Sequence, residues 1–404
     1  MRLVGARALN TFGRAIISAT VLWELYARTH SELAIMGVGA VQMLPVILLF
    51  IPAGELVDRS DRRRITTIAA LLTGGVGIGL AAASATAAPV GLYYVLLLGQ
   101  GAITVIHAPA SGSLVPLVLP REQLTRANRI GSTLQELAAI IGPALAGLAL
   151  VVVAPTWIYA FVAVTAMLSA ILYRSLPAPR PVAIVPTATV INARKDWRVG
   201  LRFIFNSPLL LPALTLDMFA VLFAGVIALL PVIATELLHT DALGYGILRA
   251  SQSTGAVLMA VIGGRLPPWK RPGRVLLIVV ALFGVTTSAI GFSHSLPLTV
   301  ALLVVGGALD NISVVIRLTA EQMVVPDAIR GRVSAVHYVF IGMSNELGAA
   351  ESGAAAWLFG LVPAIIGGGA VAVIVVGVVA LKWRELARMP PLAELRPPGD
   401  DPPG

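Results

Sequence analysis

The chain has 404 residues, 57% of them apolar and only 12% charged, and its mean hydropathy is +0.89. Soluble domains carry about 25% charged residues, so this balance excludes a soluble globular protein and points to a membrane. The lack of cysteine excludes disulfides, thiolate metal sites and cysteine nucleophiles, and the net charge of +9 takes its meaning from where the arginines fall rather than from a nucleic-acid surface.

A spanning helix needs roughly 20 apolar residues. Predominantly apolar segments of about that length run over 3–26, 32–56, 65–87, 90–115, 132–154 and 156–173 in the first half. The second half has 208–236, 243–264, 274–293, 296–322, 333–357 and 361–381. Glycine, proline or charge separates neighbours. Arg14 interrupts the first segment, which therefore reads as a span rather than a cleavable signal peptide. The expected fold class is an all-α membrane protein of twelve transmembrane helices.

Orientation follows from the arginines. Alternate connections collect Arg59, Arg62, Arg63, Arg64, Arg121, Arg126, Arg129, Arg265, Arg271, Arg330 and Arg332 on one face, together with the linker and tail cations. The other face holds essentially Arg28. The positive-inside rule puts both termini in the cytoplasm. The six tryptophans fall at segment ends or in inner loops, as an interfacial belt requires.

Residues 174–191 are rich in proline and cannot be regular helix. Beyond them, Asn192–Phe205 puts Arg194, Arg198 and Arg202 on one helical face and Trp197, Leu201 and Ile204 on another, the pattern of a basic helix lying along the inner leaflet. The expected domains are a six-helix bundle over 1–173, a cytoplasmic linker over 174–207, a second bundle over 208–382 and a tail over 383–404. An internal repeat supports the division. At an offset of 206, Arg59 meets Arg265, Arg64 meets Lys270, Pro120 meets Pro326, Arg126 meets Arg332, Gly142 meets Gly348 and Gly147 meets Gly353.

The block Asp58–Arg64 packs two acids and four arginines between two apolar segments. With its approach it reads Gly54-x-x-x-Asp58-Arg59-x-Asp61-Arg62-Arg63, which resembles the major facilitator superfamily signature G-x-x-x-D-R-x-G-R-R. The departure is Asp61, where that signature has glycine. Together with the 116–147 region and Gly306–Gly353, the motif resembles the enterobactin-exporter and macrolide-efflux branch. The resemblance implies two six-helix halves that rock around a midplane site, with Asp58 as the centre of a cytoplasmic latch. The second-half counterpart at Gly264-Arg265 has lost the acid.

A second motif also resembles the superfamily. Gly131, Ala138, Gly142, Pro143, Ala146 and Gly147 keep the spacing of the exporters' antiporter motif, with alanine at two of its glycines. Small residues at this spacing let helix backbones approach, and Pro143 bends the helix. Ordinary small-residue packing would give the same pattern. A third feature is incomplete. Gln100-Gly101 matches the end of the R-x-x-Q-G motif of drug–proton antiporters, but Leu97 stands where its arginine would be.

Ionisable groups at membrane depth are costly and mark pathways. At 1.5 Å per residue, Arg14, Asp217 and Glu346 fall near mid-membrane, with Asp310 somewhat towards the cytoplasm. Asp217 and Asp310 are candidates to carry a proton, and Arg14 to pair with an acid or hold an anionic cargo. The plainer reading of each is a satisfied interhelical ion pair. Arg317 and Glu321 share a face with Asp310 near the cytoplasmic end of its helix, where snorkelling is expected.

No H-E-x-x-H, G-x-S-x-G or phosphate-binding loop appears, so an enzyme is not expected. The expected activity is export of a small lipophilic or amphipathic compound across a bacterial-type cytoplasmic membrane, by proton antiport. Import, or flipping of a lipid or metabolite without proton coupling, is the alternative. The expected partners are the small-molecule cargo and the bilayer, with no nucleic acid. A monomer is expected, with no cofactor or metal beyond the proton gradient.

Overall fold

The computed structural model describes residues 2–118, 121–177, 197–263, 269–326 and 329–397, together with Arg265 and Pro267. The described chain is helical almost throughout. Its helices are α1 (Arg2–Thr29), α2 (Glu32–Arg59), α3 (Arg62–Ala85), α4 (Val90–Val118), α5 (Arg121–Ala149) and α6 (Pro155–Arg174). They continue with α7 (Trp197–Asn206), α8 (Leu210–Ala224), α9 (Ala242–Gly263), α10 (Pro272–Gly291), α11 (Leu296–Val324), α12 (Arg330–Phe359), α13 (Leu361–Lys382) and the short α14 (Arg384–Ala387). Most of the proline-rich linker and the end of the tail lie outside the described residues; α7 is the described part of the expected basic helix.

Local chemistry explains the boundaries. Pro155 and Pro272 open α6 and α10 at the first turn, where a missing N–H costs nothing. Gly360 separates α12 from α13 at φ +87, a conformation that L side chains rarely adopt. Among the described residues, eight helices are long and apolar enough to cross a membrane. Four more expected spans, on α1, α5, α9 and α12, are helical too. Their polar side chains, such as Arg7, Arg14 and Glu24 on α1, keep them from passing on apolarity alone.

Large apolar side chains face outward along the helices, with Val95 65% and Leu381 75% exposed. Such faces would drive aggregation in water and are the natural lining of a lipid contact. The protein is a multi-pass membrane protein.

One expected span is discontinuous. The 208–236 segment forms α8 only as far as Ala224 and then continues past Gly225 as a 3-10 turn (Val226–Leu229), one α turn (Leu230–Val232) and a π turn (Ile233–Leu237). Pro231 has no N–H to return to the preceding turn, so a regular ladder cannot run through it. Irregular backbone at membrane depth is tolerated where protein covers it. Leu229, Leu230, Val232 and Ile233 are accordingly buried.

Two compact units result, Met1–Ala183 with Ala228–Ala250, and Ile184–Ile227 with Ser251–Gly404. In the first, α3 packs on α6 and α4, α1 on α5 and α6, and α2 on α4. In the second, α10 packs on α13 and α11, and α8 on α12 and α13. The second unit's largest apolar cluster runs from Leu216 of α8 through Leu276 and Val280 of α10 to Ile316 of α11 and Val379 of α13.

The α9–α11 crossing shows why small residues recur on these helices. A Cβ on Gly307 would collide with the Gln252 carbonyl, and one on Gly255 with the Val304 carbonyl. Without a strong hydrophobic drive between helices in lipid, such backbone proximity supplies the packing. Gly307→Leu is therefore expected to destabilise the protein by about 1–3 kcal/mol, measured as a lowered melting temperature of the detergent-purified protein. Gly54→Ala, where a Cβ would meet nothing within 4 Å, should leave it unchanged.

Candidate functional site

In the second unit, two of the expected acids line one small cavity, and one of them is paired with a cation. Asp217 of α8 forms a buried ion pair with Arg317 of α11, whose side chain is 5% exposed. Arg317 Nε also donates to the Ser313 carbonyl at 3.2 Å, which fixes the guanidinium against its own helix. A small cavity beside the pair is lined by Asp217, Asp310, Ser313, Val280, Phe283 and Leu309. Among the described residues no cation pairs with Asp310. Glu346, on α12, does not line this cavity.

Snorkelling is not what Arg317 and Glu321 do. Both are buried, at 5% and 6% exposed. Glu321 is held by the His337 ring and by Ser334 Oγ, which donates to Glu321 Oε1 at 2.7 Å. Each charged group found a partner on a neighbouring helix, and that outweighs the reach to the interface. An isolated charge at the bilayer centre costs about 3 kcal/mol or more, so a partner within the bundle removes the reason to snorkel. His337 was not legible as a functional residue from sequence, although its burial beside an acid puts it in this network.

In the first unit, the charge block is built into the ends of two helices. Asp61, the departure from the superfamily signature, is the N-cap of α3, its carboxylate accepting from Arg63 N at 2.9 Å and Arg64 N at 3.4 Å. A carboxylate there satisfies two of the helix's open N–H groups and faces the positive end of its dipole. The Arg63 guanidinium donates to the Arg174 carbonyl at the C-terminus of α6, where a cation is favoured. Arg59 faces Glu55 at 3.9 Å in an exposed pair, which contributes little. Arg62 stands at the first position of α3. The side chain of Asp58 lies outside the described residues.

The antiporter-like motif divides into close and loose positions. A Cβ on Gly142 would press on Ala15 Cβ at 3.1 Å and the Phe12 carbonyl at 3.2 Å. One on Gly147 would meet Gly246 Cα at 2.8 Å. Gly131, whose nearest neighbour is Val4 at 3.9 Å, has ordinary room. Pro143 lies inside α5 between the two close positions.

The same unit holds a buried acid that the sequence reading passed over. Glu24 of α1 is 5% exposed, accepts from Tyr93 hydroxyl at 2.8 Å and lies 3.4 Å from Arg28 Nε. Arg28 also donates to the Ser84 and Ala88 carbonyls, so it ties the end of α1 to the end of α3 and the turn that follows. Nearby, the Tyr26 hydroxyl donates to Glu236, Tyr245 hydroxyl donates to the Ala19 carbonyl at 2.7 Å, and Trp23 stacks on Tyr245. Arg14 lies on α1, and Gln100 lies buried on α4.

Helical bundles with paired charges buried at membrane depth, a broken helix and, beside a cavity, an acid with no cation among the described residues are the marks of a transporter rather than an enzyme. The chain belongs to the transmembrane secretion effector family of the major facilitator superfamily, whose model matches residues 3–395. It is similar to the enterobactin exporter EntS of Citrobacter koseri, 27% identical over 356 residues that cover 86% of this chain and 83% of the relative. The EntS protein of Escherichia coli O1:K1 / APEC is 25% identical over 353 residues, with the same coverage. Among solved structures, the fold is similar to a bacterial homologue of the human lysosomal transporter Spinster in an inward-facing, unoccupied conformation, with a TM-score of 0.71 at 15% identity, covering 96% of each chain. A D-xylose–proton symporter matches with a TM-score of 0.71 at 14% identity, covering 94% of this chain and 96% of that one.

Removing one partner of a buried ion pair leaves the other charge uncompensated, at a cost of about 3–5 kcal/mol. Asp217→Asn and Arg317→Gln are each expected to lower the melting temperature strongly. The double substitution should recover most of the loss, and purely additive losses would refute the pairing.

Proposed function

We propose that this protein exports a small amphipathic compound across a bacterial cytoplasmic membrane by alternating access, driven by protons moving inward. In this reading the chain forms twelve spans with both termini in the cytoplasm, in two six-helix halves joined by the 174–207 linker and followed by the 383–404 tail. It works as a monomer without cofactor. Export is supported by the family and by relatives named as enterobactin exporters, and by the close-packed Gly142 and Gly147 of the antiporter-like motif.

The observation that carries the proton reading is the inequality of the two acids at one cavity. Asp217 is compensated by Arg317, whereas Asp310 has no cation among the described residues. A carboxyl in that position is most stable carrying a proton, and it becomes costly when ionised unless a cation or water reaches it. An arginine within the same cluster can hold either acid as the cavity changes shape. Protonation of Asp310 then releases Arg317 to Asp217, and loss of that proton draws Arg317 back. The missing arginine of the R-x-x-Q-G motif, at Leu97, is supplied in function by Arg317 in the other half.

Everted vesicles from cells carrying this protein, assayed with ethidium as the probe cargo, test the reading. Uptake is expected to stop with a protonophore. Asp310→Asn should abolish gradient-driven uptake by tenfold or more and leave cargo exchange between two equal pools intact. Uptake that survives the protonophore and Asp310→Asn alike would remove the proton from the mechanism.

A further inference from the structure

The linker helix α7 is a fixed part of the second unit rather than a loose connection. A Cβ on Gly200 would meet the Arg332 carbonyl at 2.7 Å, so α7 and α12 touch backbone to backbone. Ile204 of α7 is 1% exposed and clusters with Val333 and Val336 of α12 and with Leu210 and Leu214 of α8. Beside that packed face the three helices leave a small groove. Phe205 of α7 and Phe340 of α12 line it together with Leu211, Leu214 and Met218 of α8.

The groove asks for hydrocarbon. Thr215, the polar residue of its lining, donates its hydroxyl to the Leu211 carbonyl at 2.8 Å and has no proton left to offer. A water there would lack the two to four polar partners that hold a buried water. An empty groove forfeits dispersion contacts on one side of every lining atom. Drug-sized ligands need about 300–1,000 Å³, more than this groove provides. Leu211 to Met218 covers about 10 Å of α8, and a stretch of one acyl chain fits along it. Phe205 is 54% exposed, so the groove reaches the surface of the unit there.

The α7 side of that opening is basic. Arg198, Arg202 and Phe205 recur at i, i+4 and i+7, which puts both arginines in line with the aromatic edge of the groove. Both arginines are exposed. The balance stays positive when every acid of the neighbouring connections is counted. Residues 192–206 carry Arg194, Lys195, Arg198 and Arg202 against Asp196, and 325–332 carry Arg330 and Arg332 against Asp327. Asp217, further along α8, is paired with Arg317. Hydrocarbon-lined space with cations at its rim matches an anionic phospholipid, and a basic amphipathic helix is the kind of element that binds such headgroups.

We propose that α7 and the adjoining turns of α8 and α12 hold one anionic phospholipid. Part of an acyl chain lies in the groove, Arg202 donates to the phosphate oxygens, and Arg198 adds positive charge. The site shares no lining residue with the Asp217–Asp310 cavity. It does not depend on the export reading.

Native mass spectrometry of the delipidated full-length protein, titrated with dioleoyl phosphatidylglycerol or dioleoyl phosphatidylcholine, tests it. The first phosphatidylglycerol should bind about fivefold or more tightly than phosphatidylcholine. Arg202→Gln should erase that preference, and Arg202→Lys, which keeps the charge, should retain part of it. Leu211→Trp, which fills the groove, should weaken binding of both lipids. Lipid-free melting temperatures near that of the unaltered protein show that the variants fold. A benzophenone amino acid in place of Phe205, irradiated in phosphatidylglycerol-containing membranes, should cross-link to phospholipid. Equal binding of the two lipids, or full preference in Arg202→Gln, would overturn the site. Unweakened binding by Leu211→Trp would do the same, as would a cross-link to another part of the chain or to a second copy instead of lipid.

Discussion

An ionised side chain within a bilayer persists only against a partner, and the Asp217–Arg317 pair is where this protein meets that constraint most directly. The contact ties α8 to α11, and the surrounding apolar cluster of Leu216, Leu276, Val280 and Ile316 excludes water from its flank. Desolvation makes the pair marginal as a source of stability but severe in its consequences when broken. The helix that presents Asp217 gives up regular geometry about two turns further on, after Ala224.

The two units spend their buried polarity differently. In the second, charges are matched across helices: Asp217 with Arg317, and Glu321 with His337 and Ser334. In the first, Glu24 and Glu236 are tied by tyrosines and Arg28, while Arg7, Asn10, Gln100 and His107 keep buried atoms without partners among the described residues. Matched pairs resist opening, whereas unmatched donors raise the energy of the closed arrangement until something fills them.

Small residues do the complementary work. Gly255 and Gly307 bring α9 and α11 together at distances that no Cβ could occupy, and Gly142 brings α5 so close to α1 that a Cβ would force its neighbours to shift. Packing by backbone proximity leaves the outward faces free to be uniformly apolar, as Val95 and Leu381 are. The charged block between α2 and α3 belongs to the same economy of placement. Asp61 and Arg63 complement opposite ends of helix dipoles, so one short stretch closes two helix ends.

The amino-acid sequence by itself determined the membrane class, the all-helical fold, the superfamily and the acids Asp217 and Asp310, because apolar run length, charge between runs and an acid inside a run are local properties. Gly142 and Gly147 were legible for the same reason, since their spacing is a helical period. The tertiary structure alone decided the partners. Arg317 and Glu321 could as well have reached the interface, and only the positions of Asp217 on α8 and His337 on α12 kept them inside. Glu24 sits in a stretch that reads as an ordinary helix end, and its burial depends on Tyr93 from another helix. Arg7 and Asn10 share a face by spacing, but that Asn10 is buried there is a fact of packing. Burial and pairing join residues far apart in the chain, so no local pattern can encode them.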